Sequence, residues 1–347
     1  MNIYKAVNNQ LNRSQTHFVL IASLAVLLLF IPEFSQSKVK AMDADLKGLE
    51  YPFPVKFIRL DIQQHHYRMA YMDMIPAQPN GQAVLLLHGK NFSAAYWKQT
   101  AEALLKNGYR VVMPDQIGFG KSSKPQWFQY SFQQLATNTK NLLDSLGIKK
   151  IAVLGHSMGG MVAIRFTLMF PGVVTKLVLE NPIGLEDYKT KIPYQTVDEL
   201  YRKELKQNEA SIKQYQLTSY YDNKWKPEYD QWLNLTAGWT QSKDYPLIAW
   251  NNALTTDMII TQPVFYELSD IKTATLLIIG QRDRTALGKD LVTKEVKETM
   301  GNYPELGKQT KAKIANSQLV EIEGIGHLPH IESFDQFIKP LLAFLKE

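Results

Sequence analysis

Ile151-Ala152-Val153-Leu154-Gly155-His156-Ser157-Met158-Gly159 is the stretch on which the reading of this chain turns. Residues 151–154 are continuously apolar, as a strand buried on both faces of a parallel sheet would be, and 158–170 reads as the helix that follows. Between them lies a G-x-S-x-G pattern, which carries a mechanism only in this strand-to-helix setting. So sharp a turn forces the serine into a strained backbone conformation, and glycines on either side leave room for the neighbouring chain. The hydroxyl is thereby pushed out of the sheet. It stands at the start of a helix, whose free N–H groups and dipole favour a negative charge forming beside it. Without the flanking elements the same pentapeptide would be a glycine-rich turn with an incidental serine.

Outward from this turn the chain alternates strands and helices. Alternating residues at 55–61 and 67–71 predict an opening antiparallel hairpin. Strands are expected at 83–87, 109–113, 176–180, 274–279 and 319–322, and helices at 93–106, 131–146, 289–300 and from about 333 onward. Right-handed crossovers lay such strands side by side in one mostly parallel sheet flanked by helices, an α/β architecture. Between 185 and 269 the rhythm stops. The segment is rich in tyrosine and tryptophan, helical in pattern and without a strong strand, and reads as an inserted cap. The expected organisation is a core of 42–184 and 270–347 with a cap of 185–269.

A serine hydroxyl is a poor nucleophile near neutral pH and needs a base. Seven histidines are available. His17 lies in the N-terminal apolar region, His65 and His66 sit in the opening hairpin, and His88 and His156 adjoin strand ends where they support the site from below. His327 directly follows the last strand in Gly324-Ile325-Gly326-His327, at the carboxyl edge where α/β sheets gather their reactive groups. His330 is its rival but falls where the last helix begins. An imidazole base needs a carboxylate to hold its tautomer, and Asp283 follows the preceding strand in the same manner; Asp115 follows an earlier strand and reads as part of a loop shaping the edge. An oxyanion formed during acyl transfer needs two preorganised N–H donors. Those of Met158 and Lys90 are expected, with Asn91 second to Lys90. Asn91, Trp239 and Trp250 are the expected substrate contacts, on the reading that part of the aromatic segment lines an apolar pocket.

Taken together, His88-Gly89, Asp115 with Gly118-Phe119-Gly120, the serine turn, Asp283, and Gly326-His327 with Pro329 and Glu332 resemble the α/β-hydrolase superfamily over nearly all of the chain beyond about residue 55. The resemblance implies Ser157, Asp283 and His327 as nucleophile, acid and base, a cap over the pocket, and no cofactor or metal. Haloalkane dehalogenases and epoxide hydrolases of that superfamily carry aspartate where this chain has Ser157, which argues against those activities. Hydrolysis of a small-molecule ester is the expected function. Carbon–carbon hydrolysis of a vinylogous diketone and ligand binding with little turnover are the alternatives.

Composition bounds the remainder. The chain has 347 residues, 45% hydrophobic and 21% charged, sufficient for a substantial core. Lys5 and Arg13 precede an apolar run at 18–31 that Pro32 ends, the layout of a secretory signal peptide spanning 1–41. A helix of that run would cover roughly 21 Å, short of the roughly 30 Å hydrocarbon layer. Export to a periplasm or medium is therefore expected, with membrane association only if the segment is retained. Removing 1–41 takes away Lys5, Arg13, Lys38, Lys40 and Glu33, so 39 basic and 33 acidic residues become 35 and 32 and the net charge falls from +6 to +3. That balance offers no basis for a nucleic-acid partner. The chain has no cysteine, so stability comes from the core rather than from disulfides.

Overall fold

A computed structural model describes residues Val39–Glu347, so most of the expected signal segment lies outside the described residues. The opening hairpin forms as expected, β1 (Val55–Ile62) pairing antiparallel with β2 (His65–Met74). Then follow β3 (Ala83–Leu87), helix α1 (Lys98–Lys106), β4 (Arg110–Pro114), α2 (Phe132–Ser145), β5 (Ile151–His156), α3 (Met158–Met169) and β6 (Val174–Glu180). After a helical segment the sheet resumes with β7 (Thr275–Gly280) and ends with β8 (Ser317–Ile322). The strand order is β1-β2-β4-β3-β5-β6-β7-β8; β2 pairs antiparallel with β4, and all pairs from β4 to β8 are parallel.

Continuous apolar runs arise because both sheet faces are covered. Leu85 and Leu87 of β3 enter one core cluster with Phe132, Leu135, Val162 and Phe166, whereas Val84 and Leu86 enter a second with Leu104, Phe337 and Leu341. A strand that supplies two cores has no face left for polar residues.

Between β6 and β7 lie four α-helices: α4 (Val197–Glu204), α5 (Glu209–Ser219), α6 (Asp230–Thr240) and α7 (Tyr245–Thr261). Helix α7 reaches two cores. Its Ile248 and Ala249 pack with Leu46, Leu235 and Trp239, and its Met258, Ile259 and Ile260 join the cluster on the sheet. Past β7 the structure departs from the expected 289–300 helix. Only α8 (Lys294–Thr299) forms, and α9 (Tyr303–Lys313) follows, begun by Pro304, a residue suited to a first helical turn. Beyond β8, the short α10 (Pro329–Glu332) leads to α11 (Phe334–Lys346).

The junction of β5 and α3 is the tightest point. A side chain at Gly159 would place its Cβ 2.1 Å from the Leu87 carbonyl oxygen at the end of β3, and one at Gly155 would meet the Gly159 carbonyl oxygen at 2.3 Å. Both obstacles are backbone, so neither can rotate away. Gly159→Ala is expected to lower unfolding free energy by about 3 kcal/mol or more, since overpacking here must move a central strand. Chemical denaturation at fixed pH reads this, and an unchanged midpoint would contradict the packing described.

Candidate functional site

Ser157 occupies the single residue between β5 and α3 with φ 55° and ψ −122°, in the left-handed region that a non-glycine residue adopts only under constraint. Its amide donates to the Glu180 carbonyl at 3.3 Å, and its own carbonyl accepts from Gly160 and Ile183. These bonds hold the strained turn and leave the side chain at the carboxyl edge of the sheet.

His327 lies past β8 and Asp283 past β7. His327 Nε2 is 3.0 Å from Ser157 Oγ, and His327 Nδ1 is 2.7 Å from Asp283 Oδ2. Asp283 and His327 are 0% and 1% exposed and Ser157 is 7%, so the line of three runs from the interior to the cavity wall. Burial alone would push the Asp283 carboxyl up, yet its pKa lies below the ordinary carboxylate range. The adjoining imidazole and the donors on the carboxylate outweigh the burial. A further donor to this carboxylate, Asn181, was not anticipated. Its Nδ2 donates to Asp283 Oδ2 at 2.7 Å, while its Oδ1 accepts from the Gly280 amide at 2.9 Å. The Thr285 amide donates to Oδ1 at 2.8 Å. The available signal was positional: Asn181 follows β6 at the same sheet edge, with φ 36°.

The other candidate bases are committed elsewhere. His330 is buried with its amide and Nδ1 each 2.8 Å from Glu180 Oε1. His88 Nε2 accepts from the Gln116 amide at 3.0 Å and its Nδ1 lies 2.9 Å from the Gly89 carbonyl, and burial pulls its pKa down, so the neutral ring serves as a brace. His156 closes a chain of bonds. The Gly89 amide donates to Tyr96 Oη at 2.9 Å, Tyr96 lies 3.0 Å from His156 Nδ1, and His156 Nε2 lies 2.7 Å from the His327 carbonyl oxygen. Burial first, and then the charge of His327, hold the His156 pKa well below the usual range. A neutral ring that donates from Nε2 and accepts at Nδ1 satisfies every bond in that chain. Asp115 accepts from Ala94 and Lys121 amides and the Tyr51 hydroxyl, each at 2.7 Å, so it shapes the edge.

Ser157 and His327 open onto a cavity of about 980 Å³ whose wall includes Lys90, Asn91, Tyr220 and Trp239. Met158 begins α3, where amides have no helical acceptor, and Lys90 and Asn91 follow β3 on the same edge. Tyr220, one of the tyrosines of the 185–269 segment, stacks its ring on His327, with centroids 5.3 Å apart and planes 16° apart. Trp239 both lines the cavity and donates its indole N–H to the Asp43 carbonyl at 3.2 Å. Trp250 does not reach the cavity wall. Its N–H donates to the Gln126 carbonyl at 3.0 Å and its ring stands edge-on to Tyr201, because α7 turns that face toward the 125–126 loop. The wall is mixed rather than apolar, with Leu200, Ile212, Ile260 and Leu287 beside lysines, arginines and hydroxyls. Lys90 is partly buried, with Nζ 3.9 Å from Glu204 Oε1; burial lowers its pKa and Glu204 opposes that shift. Among the described residues no cluster of side chains has the make-up of a metal site.

The chain is similar to several known proteins. A probable hydrolytic enzyme from Pseudomonas aeruginosa PAO1, solved by crystallography, is 46% identical, with a TM-score of 0.88 over 90% of this chain and 100% of that one. A 2-hydroxy-6-oxononadienedioate/2-hydroxy-6-oxononatrienedioate hydrolase from Comamonas testosteroni is 28% identical over 279 residues, 76% of this chain and 88% of its own length. An uncharacterized protein from Mycobacterium tuberculosis is 35% identical over 121 residues, and the chain spans only 34% of the length of that relative. Residues 82–343 match the model of a family described as alpha/beta hydrolase fold. Because that match runs from the third strand of the sheet into its last helix, the chain belongs to the alpha/beta hydrolase superfamily.

Proposed function

We propose that this protein is a serine hydrolase that cleaves a carboxylic ester or a similar carbonyl compound through an acyl-enzyme. The observation that carries the reading is the unbroken line from Ser157 Oγ through His327 to Asp283, at 3.0 and 2.7 Å. His327 Nε2 takes the proton as Ser157 Oγ bonds to the carbonyl carbon, and the carbonyl π electrons move onto oxygen. Amides of Met158 and Lys90 receive that oxyanion, each donor being worth about 2.7–4 kcal/mol in such sites. The intermediate then collapses, the bond to the leaving oxygen breaks, and His327 returns its proton to that oxygen. Water repeats the sequence on the acyl-enzyme and regenerates Ser157. Asp283 keeps Nδ1 protonated and stabilises the imidazolium, with Asn181 and Thr285 holding its carboxylate ionised.

The 185–269 segment acts as the cap and contributes Tyr220 and Trp239 to the pocket. The enzyme is exported, its first 41 residues being removed; a first residue at or near Met42 is expected on N-terminal sequencing from the native host, and a retained Met1 would refute it. Among the described residues no helix is long and apolar enough to cross a membrane.

Carbon–carbon hydrolysis is the second reading, favoured by the likeness to the Comamonas enzyme, whose name describes a hydrolase of an oxo-dienedioate. One experiment separates the two. Purified protein is offered p-nitrophenyl esters of increasing chain length and, separately, a 2-hydroxy-6-oxo-dienoate followed by its absorbance. Ester turnover that falls by about 10⁶ in Ser157→Ala is expected, the scale on which loss of a nucleophilic serine acts. Turnover of the dienoate alone would move the function to carbon–carbon cleavage, and turnover of neither would leave a binding protein.

Asn181→Asp tests the support of Asp283. A second carboxylate in contact with the first raises the pKa of the pair, so one proton is retained at a pH where Asp283 alone is ionised. The acid side of the pH profile of kcat/KM therefore moves to higher pH, with a loss of about tenfold near neutrality. An unaltered profile would remove Asn181 from the mechanism.

A further inference from the structure

The serine, histidine and aspartate account for one end of the cavity. The loop that continues past Asp283 supplies a different chemistry. Arg284, Lys289 and Lys297 line the same cavity as Ser157 and His327. Among the described residues, none of these three has a carboxylate within ion-pair distance. The other charges on the wall are matched: Lys203 by Asp290 at 2.5 Å, Lys90 by Glu204 at 3.9 Å, Arg282 by Glu332, and Asp222 by Lys224 at 3.0 Å. The excess of positive charge therefore falls on one side of the cavity, immediately after the residue that orients His327.

This cationic wall is held in place. Arg284 Nη1 donates to the Gln281 carbonyl at 3.0 Å and the Asp283 carbonyl at 2.5 Å, which anchors one edge of the guanidinium and leaves its other nitrogens without acceptors among the described residues. Lys289 Nζ donates to the Arg284 carbonyl. The carboxylates that most favour the charge of Lys289 are Asp283 and Glu186, and both are engaged. Asp283 bonds His327, Asn181 and Thr285, and Glu186 bonds Lys191 at 2.6 Å and the Gly301 amide at 2.8 Å. Burial lowers the Lys289 pKa, and Lys297 and Arg284 add to that effect, as expected of cations crowded together without a counter-charge. A ligand anion would relieve that crowding.

We infer that the substrate carries an anionic group, a carboxylate or a phosphate, which Arg284 and Lys289 bind with Lys297 at the rim while its ester carbonyl faces Ser157. The inference rests on the serine-hydrolase reading above and names the substrate class: an ester of a polar acid with a charged end rather than of a plain fatty acid. A planar guanidinium beside an ammonium suits either oxyanion through charge-assisted bonds.

The test compares the mono-p-nitrophenyl ester of adipic acid with the matching ester whose far end is a carboxamide. Wild type should favour the carboxylate by about tenfold or more in kcat/KM, and the preference should shrink toward unity in Arg284→Gln/Lys289→Gln or when salt is raised to about 1 M. No preference in wild type overturns the inference, as does a preference that persists unchanged in the double variant. Calorimetric binding of glutarate and of inorganic phosphate to wild type and to Lys289→Gln provides a measurement free of turnover. Glutarate binding without phosphate binding assigns a carboxylate, and the reverse assigns a phosphate. If no ester is turned over, the hydrolase reading fails while these titrations still decide the anion site: binding weakened in the variant supports it, and no binding by wild type overturns it.

Discussion

A chain that must leave a buried central strand and enter a helix across one residue can do so only if that residue accepts a left-handed backbone and nothing larger than hydrogen projects at its neighbours. Ser157, at φ 55°, is that residue, and Gly155 and Gly159 are those neighbours. The rest of the site is arranged around this constraint. β3 ends against α3 through the Leu87 carbonyl, which brings the loop bearing Lys90 and Asn91 to the serine. The parallel pairing of β5 with β6, β6 with β7 and β7 with β8 carries Asn181, Asp283 and His327 to the same edge. A single strained residue is thus over-determined by the sheet on one side and the helix on the other, the condition under which such a conformation persists.

Around the turn, polar groups are buried in a connected set rather than singly. The chain from the Gly89 amide through Tyr96 and His156 to the His327 carbonyl ties the loop after β3 to the loop after β8. Either loop could shift only by leaving a buried donor or acceptor unmatched, which costs about 1–3 kcal/mol per group. Glu180 with His330 forms a second buried pair behind it. Histidines that add no reactive group to the site, His88, His156 and His330, are therefore part of its stiffness. His66, by contrast, lies exposed in the opening hairpin, against Asp61 and Arg59.

The helical segment between β6 and β7 brings a different kind of order. Tyr220 is buried against the His327 ring, and Trp239 is held both by its own cluster and by the carbonyl of Asp43. The cavity wall is consequently built from two sources, the strand-end loops and the helices. Lys203 of a helix pairs with Asp290 of the loop that follows Asp283, whereas Arg284 and Lys289 of that loop have no carboxylate partner among the described residues.

The sequence by itself determined the α/β alternation, the opening hairpin, the serine turn and the three residues that meet there. Each is written in local terms: apolar runs buried on two faces, glycines where a turn demands them, and a polar residue directly after a strand. It misjudged the chain after β7, where a helix was expected at 289–300: only Lys294–Thr299 forms within that span and a second helix, Tyr303–Lys313, lies beyond it, because helical periodicity in a partly exposed segment fixes neither bound. Only the tertiary structure decided that Asn181 bonds Asp283, 102 positions away, that Tyr220 rather than Trp250 faces His327, and that Arg284 and Lys289 share a cavity with Ser157. Nothing in the spacing of those residues encodes the contacts. They exist because parallel crossovers bring distant strand ends to one edge and because the packing of α7 chooses which of its faces turns inward.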